Sequence, residues 1–144
     1  MSCVTCPALD RRAFLENVAA ILGVGGLAAC TAGLPTAPAI TAFTISVSSF
    51  PSLASVGGLA LVDNGSRSGE PIAVSRIDAN TFLALSLICP HRGSTVEIVG
   101  SAFYCPGHGA TFAANGTWTG GQSTSSLSRY ALSYDAVAGT LTIG

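Results

Sequence analysis

The sequence predicts one mainly β domain behind an amino-terminal targeting segment, and three observations predict it. The chain has 144 residues, enough for one domain of ordinary size plus a leader, with no room for a second catalytic domain. Gly, Ser, Thr, Ala and Val are abundant while aromatic residues make up 7%, a composition that suits short strands and tight turns better than long helices. Short apolar runs with alternating character recur between clusters of turn-forming residues. Charged residues are only 9%, the formal net charge is -1, and lysine is absent. The arginines are scattered apart from Arg11 and Arg12, so no basic face for nucleic acid is expected.

The first element is not part of the domain. Asp10-Arg11-Arg12-Ala13-Phe14-Leu15 is an arginine pair followed by apolar residues, then a Gly/Ala-rich apolar stretch from 18 to about 32. Arginine pair, apolar run and small-residue exit in that order resemble a twin-arginine export signal, an address for proteins that cross a bacterial membrane already folded. The competing reading is an ordinary amphipathic first helix. Leu27-Ala28-Ala29-Cys30 looks like a lipobox, in which Cys30 would become the acylated first residue of a lipoprotein. Cleavage after Ala39, in the small-x-small sequence Ala37-Pro38-Ala39, and retention of the segment as an anchor remain as alternatives. The 17 residues from 18 to 34 stand at the bottom of the range of about 17 to 25 needed to cross a bilayer. We therefore expect an export signal with lipobox over 1–30, an extended Pro/Thr/Ala-rich tether over 31–42, and the folded domain over 43–144.

Strands follow in order. Residues 41–47 alternate as a first strand. Residues 58–62 and 72–77 bracket the turn-rich Asp63-Asn64-Gly65-Ser66, and residues 81–88 run directly into a cysteine. Residues 96–99 and 102–104 flank Gly100-Ser101, a Gly-first connection of the kind favoured in tight hairpins. Residues 130–134 and 140–143 frame a closing hairpin around 135–139. Trp118, the only tryptophan, is expected to pack within the domain, with contact to a partner as the alternative.

Cysteines and histidines carry the chemistry. Cys3 and Cys6 form a C-x-x-C inside the removable leader, and Cys30 sits at the proposed cleavage site. Only Cys89 and Cys105 belong to the domain. After export those two could simply form a disulfide. Against that stands the histidine placement: the only two histidines lie in Cys89-Pro90-His91 and Cys105-Pro106-Gly107-His108. Two loops, each offering one thiolate and one imidazole, can converge on a metal centre. Two thiolates suit one iron of a 2Fe-2S pair and two imidazoles the other. A tetrahedral Cys2His2 zinc site competes, although zinc pairs usually enclose two to four residues and C-x-H encloses one. Glycines at 93, 107 and 109 let the backbone turn sharply beside the donors.

The segments CPHRGS (89–94) and CPGHGATF (105–112), with 13 residues between His91 and Cys105, resemble the two cluster-binding boxes of the Rieske iron-sulfur family. The looser likeness extends over about 41–144. The resemblance implies an all-β fold, an antiparallel β-sandwich with the cluster at the tip of a small cluster-binding subdomain. It also implies one 2Fe-2S cluster per chain, with Cys89 and Cys105 on one iron and His91 and His108 on the other. Rieske subunits of cytochrome bc complexes carry an extra cysteine in each box, joined as a disulfide; here those positions are Ser94 and Gly107. Hydroxyl donors of that branch, a Ser and a Tyr, are replaced by Ala110 and Phe112. Losing hydroxyl donors leaves more electron density on sulfur and disfavours the reduced cluster. A reduction potential in the lower half of the span of about -150 to +300 mV is expected, with Arg92, if near the cluster, acting in the opposite sense.

Such a centre exchanges one electron and leaves no coordination position open, so an electron carrier is expected rather than a stand-alone enzyme. Rieske oxygenases add a mononuclear iron held by two more histidines and a carboxylate, which this chain lacks the histidines to bind. The leading expectation is an exported, membrane-tethered one-electron carrier, anchored through its leader or a lipid, whose partners are redox proteins such as a cytochrome or an oxidoreductase subunit. The alternatives are the iron-sulfur subunit of a multisubunit quinol-oxidising or other oxidoreductase, recognisable by co-purification with a cytochrome, and a colourless module with structural zinc.

Overall fold

The computed structural model describes residues 35–63 and 69–144; the expected export signal, Cys30, residues 31–34 of the expected tether and residues 64–68 lie outside the described residues. Among the described residues no helix is long and apolar enough to cross a membrane. Among the described residues, eleven strands form three antiparallel sheets: β1 (Phe43–Ser46), β2 (Leu59–Val62), β3 (Ile72–Asp78), β4 (Thr81–Ser86), β5 (Glu97–Val99), β6 (Ala102–Tyr104), β7 (Thr111–Ala113), β8 (Trp118–Gly120), β9 (Arg129–Tyr130), β10 (Leu132–Asp135) and β11 (Thr140–Ile143). Their orders are β1-β11-β10, β2-β3-β4-β9 and β5-β6-β7-β8.

The β2-β3-β4-β9 sheet is the middle layer, and its sequence says why. Successive side chains of a strand point to opposite faces, and β3 is buried at four consecutive positions, Ile72 to Ser75. Ile72 and Val74 join Ala60, Val62, Phe82 and Ala84 in a first core closed by Leu141 and Ile143 of the three-stranded sheet. Ala73, from the opposite face of β3, joins Leu59, Leu85 and Leu87 in a second core. That second core is completed by Phe103 and Phe112 of the β5-β6-β7-β8 sheet, by Val96 and Ala110 just ahead of β5 and β7, and by Cys89 and Cys105 themselves. The sandwich and the small subdomain therefore share one sheet, and the candidate ligands are rooted in packed apolar structure.

Two short 3-10 turns, Val47–Ser49 and Pro51–Ala54, were not expected. They carry the fully buried Leu53 into the first core. Arg76 holds them down: its guanidinium donates to the Leu53 carbonyl at 2.9 Å and the Ala54 carbonyl at 2.8 Å, and also to the Ala79 carbonyl at 2.6 Å. Part of the segment expected as a tether is laid onto the domain. Ala37 N-H donates to the Arg129 carbonyl, Arg129 N-H donates to the Pro35 carbonyl, and Thr36 makes a parallel bridge with Arg129 of β9. Ala37 is buried in the first core, which gives this pairing an apolar anchor.

Tyr130 supplies a pH-sensitive tie. Its hydroxyl donates to Glu70 Oε2 at 2.5 Å, linking β9 to the chain just ahead of β3. Burial first, and then the Glu70 carboxylate, push the phenol up to about 12 from its ordinary value of 10.0. Folding thus favours the neutral phenol: its contribution is complete below pH 10 and is lost as pH rises from 10 toward 12. Thermal denaturation is expected to show stability falling across that window, and Tyr130→Phe to flatten the fall.

Candidate metal centre

The two cysteine loops are built on one plan. Cys89 ends the run that follows β4, and Cys105 follows β6 directly. In the first loop the Cys89 carbonyl accepts from Gly93 N-H at 2.8 Å, and Cys89 N-H donates to the Ser94 carbonyl at 2.8 Å. In the second, the Cys105 carbonyl accepts from Gly109 N-H at 2.9 Å, and Cys105 N-H donates to the Ala110 carbonyl at 2.8 Å. Each turn closes on a glycine with positive φ, 74° at Gly93 and 77° at Gly109, a conformation that costs an L residue about 1–2 kcal/mol.

The hairpin expected at Gly100-Ser101 brings these turns together. β5 and β6 pair in the register Glu97↔Tyr104, Ile98↔Phe103, Val99↔Ala102, and Ile88 bridges back to Thr95. The loops meet most closely at the positions where the respiratory branch would carry its extra cysteines. A Cβ built on Gly107 would stand 3.1 Å from Cβ and 2.5 Å from Oγ of Ser94, near the separation of about 3.5–4.5 Å that a disulfide spans. Ser94 and Gly107 face one another here without sulfur to join them.

All four expected donors are brought to this junction, in pairs of a kind. Cys89 and Cys105 are buried free thiols, in hydrogen-bonding reach of each other. The rings of His91 and His108 stand edge to face with centroids 4.6 Å apart. Among the described residues no three His, Cys, Asp or Glu side chains gather as they would around a single ion; the arrangement is two and two. Burial, then the Cys105 thiol, raise the Cys89 pKa, while the backbone N-H groups of His91 and Arg92 donate to its sulfur and lower it. Those N-H donors are ready to stabilise a thiolate once a metal replaces the proton. Burial, then the His108 and Arg92 charges, lower the His91 pKa and favour the neutral imidazole that binds metals.

One orphan tests the fit. His91 Nδ1 is buried without a hydrogen-bond partner, a situation that costs roughly 1–3 kcal/mol when nothing satisfies the atom. A metal at the junction would accept its lone pair. Two soft thiols and two imidazoles, one of them with a buried nitrogen lacking a partner, fit an iron-sulfur centre with mixed ligation.

Ala110 and Phe112 are buried, so no hydroxyl is supplied from either position. Trp118 packs half-buried against the second core, its Nε1-H donating to the Gln122 carbonyl at 3.0 Å. Sequence reasoning missed Gly121. Its φ is +72°, and a Cβ there would overlap the carbonyl of Gly109 and stand 3.2 Å from Ala110 Cα. The Gly/Ser/Thr-rich stretch is thus pressed onto the backbone of the second loop. Gly121→Ala is expected to cost at least about 1–2 kcal/mol from φ alone and to loosen that loop, read as a lower melting temperature together with less iron retained per chain. The Gly120-Gly121 pair was the available signal, but a glycine's close contact is not written in its neighbours.

Comparison with known proteins bears on the same region. A family model described as Rieske [2Fe-2S] domain matches residues 58–131. No curated protein matches the chain. Among solved structures it is similar to the plasma membrane Rieske protein PetC3 from the cyanobacterium Synechocystis PCC 6803, with 24% identity over 58% of this chain and 85% of that one and a TM-score of 0.49. It is also similar to the quaternary ammonium Rieske monooxygenase CntA, solved with an inhibitor, with 21% identity over 63% of this chain and 28% of that one and a TM-score of 0.51. Another solved structure of a quaternary ammonium Rieske monooxygenase, bearing on carnitine oxidation by gut microbiota, gives 21% identity, 63% and 27% coverage, and a TM-score of 0.51. The monooxygenases share the fold, and this chain spans about a quarter of their length.

Proposed function

This chain belongs to the Rieske [2Fe-2S] domain family, and on that premise we propose that Cys89, His91, Cys105 and His108 hold its 2Fe-2S cluster in an exported, membrane-tethered one-electron carrier. A Rieske domain binds a 2Fe-2S cluster and transfers electrons. The observation that carries the ligand assignment is the pair of matched turns, which presents two thiols together and two imidazoles together. When bound, the cluster supplies a centre that gains and loses one electron.

The residues of the chain do the rest. Cys89 and Cys105, buried in the second core, fix the inner side of the centre and keep water from it. Backbone N-H groups of His91 and Arg92 offset the charge on the Cys89 sulfur. His108 is exposed and His91 half-buried, so the imidazole side faces outward, toward a partner. With Ala110 and Phe112 giving no hydroxyl to sulfur, a redox titration is expected to place the midpoint in the lower half of about -150 to +300 mV. A value well above the middle of that span would contradict the argument.

Export and tethering rest on the leader. Arg11-Arg12, the apolar run and Cys30 in sequence support passage of the folded, cluster-loaded domain by the twin-arginine route, followed by acylation of Cys30. Cell fractionation tests this. Replacing Arg11 and Arg12 by lysine should leave the protein in the cytoplasm, and Cys30→Ser should abolish incorporation of radiolabelled palmitate. An unchanged extracytoplasmic pool in the first variant would remove the export reading; unchanged labelling in the second would remove the lipid anchor.

A further inference from the structure

Arg92 holds a place that the ligand set leaves unused. Counted from their cysteines, the two turns match position by position: Cys89 with Cys105, Pro90 with Pro106, Gly93 with Gly109, under the same pair of backbone hydrogen bonds. The fourth position holds Arg92 in one turn and His108 in the other. Both side chains are exposed, and Arg92 follows His91 directly in its turn.

Arg92 is the only Asp, Glu, Lys or Arg in the two turns. The other exposed residues of the two turns, Pro90, Gly93, Pro106 and Gly107 besides His108, carry no carboxylate, ammonium or guanidinium. Several other charges of the domain are engaged locally: Glu70 with Tyr130, Asp78 with Ala79 N-H, Asp135 with the N-H groups of Val137 and Ala138, and Arg76 with backbone carbonyls; exposed Glu97 and Arg129 lie on β5 and β9, outside the two turns. The Arg92 guanidinium has no hydrogen bond or ion pair among the described residues.

A partner that approaches the imidazole pair must cover this guanidinium. Burying it against apolar surface would strand an unpaired charge, which costs more than ordinary contacts return. A carboxylate matches the planar fork with two parallel hydrogen bonds. We propose that Arg92 selects the redox partner of this domain: a protein whose electron-exchanging edge presents a carboxylate opposite the guanidinium and little other charge. The proposal rests on the ligand assignment above. It makes recognition depend on one charge pair on an otherwise neutral face, so that a basic partner edge is rejected.

The test uses the full-length, cluster-loaded protein, reduced with dithionite and freed of excess reductant. Stopped-flow oxidation is followed with ferricyanide, an anion of charge 3-, and with tris(phenanthroline)cobalt(III), a cation of charge 3+; each accepts one electron. At low ionic strength Arg92→Gln is expected to slow ferricyanide about fivefold and to speed the cobalt complex by a similar factor, with both effects fading in molar salt. A changed reduction potential would move both rates in the same sense, so opposite movement isolates charge at the docking face. Arg129→Gln, an exposed arginine on β9, should change neither rate. Titration with redox-inert hexacyanocobaltate(III), followed on the arginine Nε-H resonances, should shift Arg92 and leave Arg129 in place. Rates that move together, an equal effect of Arg129→Gln, or an unmoved Arg92 resonance would overturn the proposal while the loaded cluster stood. A wild-type chain that binds no iron would overturn the ligand assignment, and this proposal with it.

Discussion

Replacing Cys89 or Cys105 by serine is expected to take the iron content from two per chain to near zero and to remove the visible colour of the protein. The cause is the loss of one of two thiolates placed to hold the same iron, for which a serine hydroxyl is a poor substitute because it stays protonated at neutral pH. Each cysteine is at most 2% exposed and belongs to the second core, so the expected loss must be separated from unfolding. Far-ultraviolet circular dichroism makes the separation. The β1-β11-β10 sheet and the first core contain neither cysteine, and the strand signal is expected to persist in the variants. His108→Ala is the milder companion: its side chain is exposed, so it removes a ligand without opening the core. Retention of two irons in either cysteine variant would contradict the assignment of the thiols.

The largest loss of stability is expected at Phe103 and Phe112. These two stand directly opposite one another in the pairing of β6 with β7 and are the largest fully buried side chains of the domain. They fill the core beneath both cysteine loops. Truncating either to alanine removes buried apolar area and leaves a cavity, at a cost of about 3–5 kcal/mol, much of the total for a domain of this size. Chemical denaturation should show the transition moving to lower denaturant by that amount. Cluster release should accompany the loss, since Cys89 and Cys105 share this core. Phe82→Ala, in the first core, should cost a comparable amount and leave the loops in register, so iron would be retained in the fraction that stays folded.

The fold was legible wherever local pattern and partner were both close in sequence. The hairpin at Gly100-Ser101 and the closing hairpin around 135–139 announce themselves through turn residues between apolar alternations, and β5-β6 and β10-β11 pair there. β3 was legible as a strand because its burial on both faces leaves a nearly unbroken apolar run. Elsewhere the partner lies far away and the local sequence does not name it. β4 stops at Ser86, not at residue 88, because the residue opposite Leu87 in the β3-β4 register is Pro71, which accepts from Leu87 N-H but has no N-H to return, and the Leu87 carbonyl accepts from Val96 N-H instead. β7 was hidden because Thr111-Phe112-Ala113 reads as the tail of the second box, and β8 because it lies in a Gly/Ser/Thr-rich stretch that looks like loop. Pro35 to Ala37 have the composition of a tether, and only the edge of β9 makes them part of a sheet.

The candidate site was legible to a greater degree, since its chemistry is carried by rare residues. Two histidines in the whole chain, each beside a domain cysteine, leave few other uses for them. The sequence could not show that His91 Nδ1 is left buried without a partner, or that Gly121 braces the second loop. Those features depend on contacts between segments brought together by the middle sheet.

Low-temperature electron paramagnetic resonance of the dithionite-reduced full-length protein, with iron and zinc assayed in the same sample, tests the ligand assignment most directly. Two irons per chain and a rhombic signal with the low average g of mixed Cys/His ligation, absent from Cys105→Ser, are the predicted result. A silent sample carrying one zinc per chain would contradict it and leave the two loops as a metal-stapled β module.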